Sequence, residues 1–365
     1  MIDQDLALTW FPLVQRPRPP GLPLVTRIQE LADLATRGRY SAAQQAEVLN
    51  KAALIASDVG MPDLARSLCW RQFAIYGRAG TLTDTAVELA VQPPLNITRQ
   101  MIREGRPEQA HAALEALHAA ALCRESATID DHMVDFGILI RTTKDHKTIC
   151  TATWAALLAD GTRALINAGR WKDAEQITVT HRGIGTRLLD GRQVSIIAHL
   201  KDGHPDQALK ILYGSALDEQ WEHAVAGILQ EACRAAIDTV QKTAGQQLSL
   251  ARDVVVSAIP STKLFSIRVG LTALGTAEDP RSPEVRELAH AILTRATDDS
   301  YAARDTLAHP AVLPFLDGSR QDGLTRVVEA SGLNGTNFTP EIQDALLMQI
   351  GRAERRLSLL LAEFR

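Results

Sequence analysis

From residue 24 onward, apolar residues recur at intervals of three and four positions, which is the spacing of one face of an α-helix. An example is the series Leu49, Ala52, Ala53, Ala56 and Val59. Runs that alternate like a strand are short, and the best of them, residues 254–256, is flanked by Ala and Arg, which also suit a helix. The pattern therefore predicts an all-α protein with little or no sheet and a helical content above roughly 60%.

A repeated Gly-x-x-x-x-Ala pattern marks the predicted turns between helices. Glycine tolerates the left-handed conformation that ends a helix, and proline or an acidic residue suits the first turn of the next one. The Ala follows about one turn later and is small enough for two antiparallel helices to cross closely. The five occurrences are Gly38–Ala43, Gly60–Ala65, Gly105–Ala110, Gly169–Ala174 and Gly203–Ala208.

These turns resemble the turn between the two helices of a tetratricopeptide repeat (TPR). Gly169 and Gly203 are 34 residues apart, which is the length of one tetratricopeptide repeat. The intervals between the other glycines of the pattern differ from this length. The large aromatic residues of the family are mostly missing, and the resemblance covers about residues 40–230. It implies an α-solenoid, a right-handed superhelix of antiparallel helical hairpins, whose first helices line a concave groove.

Composition and periodicity divide the chain into three predicted segments. Residues 1–23 include five prolines and predict an extended arm, which would strap the first helix or dock on another protein. Residues 24–240 form the TPR-like region, and residues 241–365 form a helical C-terminal region. Its last helix, residues 340–364, is predicted to cap the repeat array. The capping face consists of Ile342, Leu346, Ile350, Leu357 and Leu361.

Charge and composition narrow the class of protein further. The net charge of −4 argues against a protein that binds nucleic acid mainly through phosphate contacts. Of the 39 basic residues eight are Lys, and this preference for Arg favours a GC-rich bacterial genome. The N-terminus lacks a signal-peptide pattern, and no apolar run has the length of a membrane span, so we expect a cytoplasmic protein. The four scattered cysteines are expected to be reduced.

An acidic cluster is the best candidate for chemistry. Asp130, Asp131 and Asp135 would hold Mg²⁺ if they shared one helical face, and they resemble the acidic motif of class I terpene synthases. A second acidic group lies at residues 298–305, but the second metal motif of that family is missing and aromatic residues make up only 4% of the chain. His146 and Cys150 also have a metal-ligand spacing. We expect no catalytic residue, no metal and no cofactor.

The groove implied by the TPR resemblance predicts a non-enzymatic scaffold or adaptor that binds a peptide or a partner protein. The candidate partner-binding residues lie on predicted first helices and are Arg99, Arg103, Arg163 and Asn167. Guanidinium groups bind carboxylates in two-point geometry, so we expect an acidic or carboxylate-bearing segment as the ligand. Glu104 and Asp160 are close in sequence and would neutralise these arginines if they paired with them.

Two alternative functions stay open at this point. The first is a ligand- or peptide-sensing transcriptional regulator, because residues 56–68 weakly match a DNA-binding helix-turn-helix. A basic helix protruding near residues 62–76 would favour this alternative. The second is a Mg²⁺-dependent, all-helical enzyme of the terpene-synthase type, which requires the acidic cluster to converge on a metal.

Overall fold

The computed structural model describes residues 8–36, 41–79, 82, 84–237, 244–277, 279–333, 335 and 338–362. Among these residues there are 18 α-helices and one two-stranded hairpin, and 77% of the described residues are helical. The prediction of an all-α protein with little sheet is confirmed.

The helices follow one another with short connections. They are α1 (Leu24–Thr36), α2 (Ala42–Asp58), α3 (Pro62–Ala79), α4 (Asp84–Arg103), α5 (Pro107–Cys123), α6 (Phe136–Leu139), α7 (Thr143–Ala156), α8 (Thr162–Asn167), α9 (Trp171–Thr180), α10 (Asp190–Lys201), α11 (Pro205–Tyr213), α12 (Gln220–Ile237), α13 (Ala244–Val256), α14 (Lys263–Gly275), α15 (Pro283–Arg295), α16 (Ser300–Ala308), α17 (Gly318–Ala330) and α18 (Pro340–Ala362). A π-helical turn, Leu157–Gly161, joins α7 to α8. The strands β1 (Ser126–Ile129) and β2 (His132–Asp135) pair in antiparallel orientation.

The chain folds into two compact units. Unit A consists of Leu24–Arg170 with Gly332–Arg365, and unit B consists of Met1–Pro23 with Trp171–Ser331. The segment boundary predicted at residue 240 lies outside the described residues, so the three-part division stays a prediction.

In unit A, neighbouring helices of the chain pack against each other. Helix α2 packs on α3, α3 on α4, and α4 on α5, while α2 also contacts α4 and α4 contacts α7. The last helix, α18, packs against α1, α2 and α3. Its predicted apolar face is buried at Leu346, Ile350, Leu357 and Leu361, and Ile342 is half-buried. The final helix therefore covers the helices at the start of this unit.

The predicted glycine turns are confirmed at four positions, and Gly38 lies outside the described residues. Each of the four glycines has a φ between 73° and 79° and stands between two helices. In every case the residue after the glycine donates its backbone N–H to the carbonyl five residues back, at 2.8–2.9 Å, which ends the first helix. The alanines that follow, Ala65, Ala110, Ala174 and Ala208, are buried.

Unit B is built from α9–α17 and the N-terminal arm. Successive helices pack from α9 through α15, and α16 packs on α17. Residues 13–23 form no helix or strand. Hydrogen bonds of the arm go to residues 190–300 of unit B, and its expected role as an extended strap over the first helix stays a prediction. The face of α1 is covered by α2 and α18, while the polar groups of the arm find partners in unit B.

The acidic cluster lies in a β-hairpin and not on a helix, which corrects the prediction. Asp130 and Asp131 form the two-residue connection between β1 and β2, with φ of 48° and 59°. Two successive left-handed residues are the requirement of the tight hairpin turns that match the twist of the strands, and Asp tolerates this conformation. Four-residue strands with buried Ala127, Ile129 and Val134 then fold this segment against α5.

Candidate functional site

Side chains from three segments of unit A join in one hydrogen-bonded series, which we call the polar chain: Asn50, Asn96, Arg99 and Asp160. Arg99 on α4 donates through Nε to Oδ2 of Asp160 at 2.8 Å and through Nη1 to Oδ1 of Asn96 at 2.9 Å. Asn96 in turn donates through Nδ2 to Oδ1 of Asn50 on α2 at 3.1 Å. The polar chain therefore links α2, α4 and the π-helical turn.

Helix α4 supplies the centre of this surface because of its spacing. Asn96, Arg99 and Arg103 stand three and four positions apart, so they share one face of the helix. Ile97 and Met101, on the other side, are buried in the unit. The same helix is thus held by its apolar face and offers its polar face to neighbouring helices and solvent.

The π-helical turn brings Asp160 to the polar chain. A π-turn inserts one extra residue into a helix and so changes which side chains face a neighbouring helix, and such turns are frequent at functional sites. Gly161 faces α5, since a Cβ on it would lie in ordinary contact, 3.5 Å, with Nδ1 of His111. Thr162 stabilises the turn by donating its hydroxyl to the carbonyl of Leu158 at 2.6 Å.

The four predicted partner-binding residues all lie in unit A. Arg99 has 42% of its side chain exposed and is paired with Asp160. Arg103 is exposed and donates to Oγ of Ser57 on α2 at 3.0 Å. Arg163 is half-buried and Asn167 is exposed, and both lie on α8 within two turns after Asp160. The surface expected from the sequence therefore has two of its members on one face of α4 and two on α8.

The two acids considered as neutralising partners behave differently. Asp160 pairs with Arg99, so this guanidinium is already compensated. Glu104 instead bonds Arg66 of α3 at 2.5 Å and Arg106 at 2.6 Å. Glu104 is therefore engaged by other arginines, and Arg103 is the more exposed of the two arginines on α4.

Sequence reasoning missed the asparagines and Ser57. Asn has a low helix propensity because its side chain competes for backbone hydrogen bonds, yet Asn50 and Asn96 both lie well inside long helices. An Asn inside a helix, where it cannot cap an end, indicates that another side chain bonds to its amide. This feature of the sequence could have predicted both asparagines.

The acidic cluster does not form a metal site. Asp130 accepts a hydrogen bond from Nε1 of Trp70 at 3.2 Å, and the indole of Trp70 stacks on the imidazole of His132 at 4.3 Å. Asp135 caps α6 by accepting from the backbone N–H of Ile138 at 3.3 Å. In the described part of the chain, no group of three or more His, Cys, Asp or Glu side chains has the geometry to hold a metal ion.

The downstream acidic group lies in unit B and is used in the same structural way. Asp298 pairs with the buried Lys263, and Asp305 pairs with Arg268 at 2.7 Å. Asp299 caps α16 by accepting from the backbone N–H groups of residues 301 and 302. Each of the three carboxylates therefore has a structural partner in its own unit.

His146 and Cys150 both face the C-terminal end of α5. Nε2 of His146 lies 3.1 Å from the carbonyl oxygen of Ala121, and Sγ of Cys150 donates to the same oxygen at 3.6 Å. Carbonyls at a helix end have no partner within the helix, so these side chains satisfy one of them. Burial raises the pKa of the Cys150 thiol, and all four cysteines are free thiols.

Helix α3, the candidate DNA-reading helix, does not protrude. It packs against α2, α4 and α18, with Leu68 and Tyr76 buried. Arg66 is bound to Glu104, and Arg71 pairs with Glu354 of α18 at 2.5 Å. The basic side chains of this helix are therefore at least partly compensated within unit A.

Comparisons with models of protein families, with curated proteins and with solved structures found no match to this chain. The resemblance to the TPR family therefore stays a prediction from the glycine turns of the sequence. Within the residues that the structure describes, no helix has both the length and the apolar composition needed to cross a bilayer.

Proposed function

We propose that this chain is a non-enzymatic α-solenoid protein of the scaffold or adaptor type, which binds an extended segment of a partner protein along α2, α4 and α8 of unit A. The single observation that carries the proposal is the polar chain. Its four members come from three helical segments and are joined side chain to side chain across them.

The packing order of unit A supports a solenoid. Helices α2 and α4 contact each other, and α4 contacts α7, so three helices that are not consecutive in the chain lie side by side. In a helical-repeat array such a layer forms the inner surface on which partners bind. Because the polar side chains already hold one another, a ligand orders few additional groups when it binds, which reduces the entropic cost of association.

The chemistry of the surface suits a polypeptide. Amide side chains carry both a donor and an acceptor, which is the pattern of a peptide backbone. Arg103 is exposed and donates a hydrogen bond to the neutral hydroxyl of Ser57. It is therefore the arginine best placed to bind a carboxylate of a ligand. Arg99 is compensated by Asp160 and orients Asn96. We therefore assign acidic preference to Arg103 and backbone recognition to the two asparagines.

Peptide selection with defined variants tests the proposal. A displayed library of random peptides is selected on the wild-type protein, and affinities are measured by fluorescence anisotropy. Asn96→Ala should weaken binding about tenfold or more, while Glu108→Gln, an exposed change on α5, should not. Arg103→Gln should weaken acidic peptides more at low salt than at high salt. Peptides that bind all variants equally would exclude this surface as the binding site.

A further inference from the structure

The N-terminal arm lies in a groove of unit B, which we call the arm groove. The groove is lined by Asp190, Gln193, Ser261, Asp299, Ser300 and His309. The arm enters it with Phe11 and Leu13, which are 1% and 2% exposed. Residues 14–20 are half-buried or exposed, and Gly21 is buried again. The arm is therefore held at two places with a more open stretch between them.

Gln193 of α10 binds the backbone of the arm. Its Oε1 accepts from the N–H of Leu13 at 2.7 Å, and its Nε2 donates to the carbonyl of Leu13 at 2.8 Å. Gln193 is fully buried, and Nε2 also donates to the carbonyl of Leu188, which orients the amide. A fixed amide that binds both polar groups of one residue recognises an extended backbone whatever its side chain.

Side-chain contacts around this clamp add selectivity. Trp10 stacks on the imidazole of His309 with 5.1 Å between ring centroids. Arg16 places its guanidinium fork on the carboxylate of Asp190, with distances of 3.0 and 2.5 Å. The groove thus accepts an aromatic residue, then two buried apolar residues around a proline, then a basic residue three positions later.

The second anchor accepts only glycine. The N–H of Gly21 donates to Oδ2 of Asp299 at 2.9 Å, and its carbonyl accepts from the N–H of Ser300 at 2.9 Å. A Cβ on Gly21 would lie 2.8 Å from the backbone nitrogen of Ser300, which is too close for a side chain. Between the anchors, the prolines at 17, 19 and 20 favour an extended chain and so reduce the entropy lost on binding.

The described residues of the arm from Phe11 to Pro23 contribute no strand or helix to unit B. Their bonds to the groove go to side chains, to the start of α16 and to the carbonyl of Ser261 in a 3-10 turn, so the helices of unit B share no backbone ladder with the arm. We propose that the arm groove is a recognition site for an extended, proline-rich segment of a partner protein, and that residues 8–23 occupy it as an exchangeable intramolecular ligand. The partner's segment carries the arm's pattern of an aromatic residue, Pro-Leu, a basic residue and a later glycine.

Attachment to the same chain gives the arm a high effective concentration at its groove. A free peptide therefore competes poorly against the intact arm and well against a weakened one. Leu13→Asp weakens the arm by placing a charge in an apolar pocket, and it changes no residue of the groove itself. Gly21→Ala weakens the arm at the other anchor and serves as an independent variant if Leu13→Asp does not fold.

The test uses the full chain and a fluorescent peptide with the sequence of residues 8–23, followed by anisotropy. We expect the peptide to bind the Leu13→Asp chain, or the Gly21→Ala chain, at least about tenfold more tightly than the wild-type chain. Adding Gln193→Ala to either variant should remove that gain, and a peptide carrying Leu13→Asp should bind none of the chains. Circular dichroism checks that every variant is folded.

Two results would overturn the proposal. The first is a folded, arm-weakened chain that binds the wild-type peptide no better than the wild-type chain does. The second is equal binding with and without the Gln193 amide, which would place the peptide elsewhere. Neither result bears on the polar chain of unit A, because the variants and the groove all lie in unit B.

Discussion

Unit A and unit B each use amide side chains on an early helix, but different groups satisfy those amides. In unit A, Asn96 donates to Asn50 and accepts from Arg99, so these amides bond to side chains of helices. In unit B, the amide of Gln193 bonds the backbone of an extended arm. The comparison shows that the amides of one surface are satisfied by side chains of helices, whereas the amide of the other is satisfied by the backbone of a segment without helix or strand.

The largest difference should appear on acidification, because the arm covers a buried histidine. Burial lowers the pKa of His309 to about 4, from an ordinary value of about 6.5. Between these values the unfolded chain binds a proton and the folded chain does not, so stability falls as the pH falls. The loss should reach about 3 kcal/mol near pH 4 and should be absent above about pH 7.

Urea unfolding of unit B at pH 7 and at pH 4.5 measures this loss. His309→Phe keeps a ring to stack on Trp10 and removes the titrating group. It should therefore unfold with a smaller difference between the two pH values, by about 2 kcal/mol. An unchanged pH dependence in this variant would mean that other groups cause the acid sensitivity.

The second prediction concerns a substitution that should detach the arm and leave unit A unchanged. Gly21→Ala forces a Cβ against the backbone of Ser300 and should cost about 2 kcal/mol, the usual range for overpacking. Hydrogen exchange at the amide of Leu13 should then accelerate about thirtyfold, whereas exchange in α4 should not change. Gly318→Ala is the control, because a Cβ there meets nothing within 4 Å. Equal protection of Leu13 in both variants would contradict the arm's second anchor.

The glycine turns offer a test in which the two units should agree. Gly105 in unit A and Gly203 in unit B have φ of 73° and 79°, and a Cβ on either meets nothing within 4 Å. Replacing each with Ala should cost about 1 kcal/mol, because the left-handed conformation alone opposes the side chain. Gly323→Ala, inside α17 and without a positive φ, should instead be neutral or stabilising in thermal unfolding. A neutral result at both turns would show that they rearrange.

The smallest expected effect concerns the ion pairs of the two surfaces. Arg99 with Asp160 and Arg16 with Asp190 are each about half exposed on the arginine side. Double-mutant cycles with Gln and Asn should give coupling energies of about 0.5 kcal/mol for each pair, since water screens them. A coupling above about 2 kcal/mol at Arg99 would mean that the polar chain is a strongly coupled network and not a weakly held surface.

Local signals allowed much of the helical structure to be predicted. The turns at Gly60 and Gly203 are specified within a few residues, because a left-handed glycine ends one helix and the adjacent residues start the next. The same holds for Ser282, whose hydroxyl accepts from the N–H of Val285 at the start of α15. These features need no distant partner, so the sequence by itself determined them.

Other features were decided only by tertiary packing. Pro93 and Pro94 lack the N–H groups that a helix needs, yet α4 continues through them because neighbouring helices enclose it. The pairing of Arg99 with Asp160 spans 61 residues, and the clamp of Leu13 by Gln193 spans 180. Such partners depend on which apolar faces pack together and on where a π-helical turn directs a carboxylate. Interactions between residues close in sequence therefore determined where the helices begin and end. The packing of apolar faces that are distant in sequence decided which polar side chains meet.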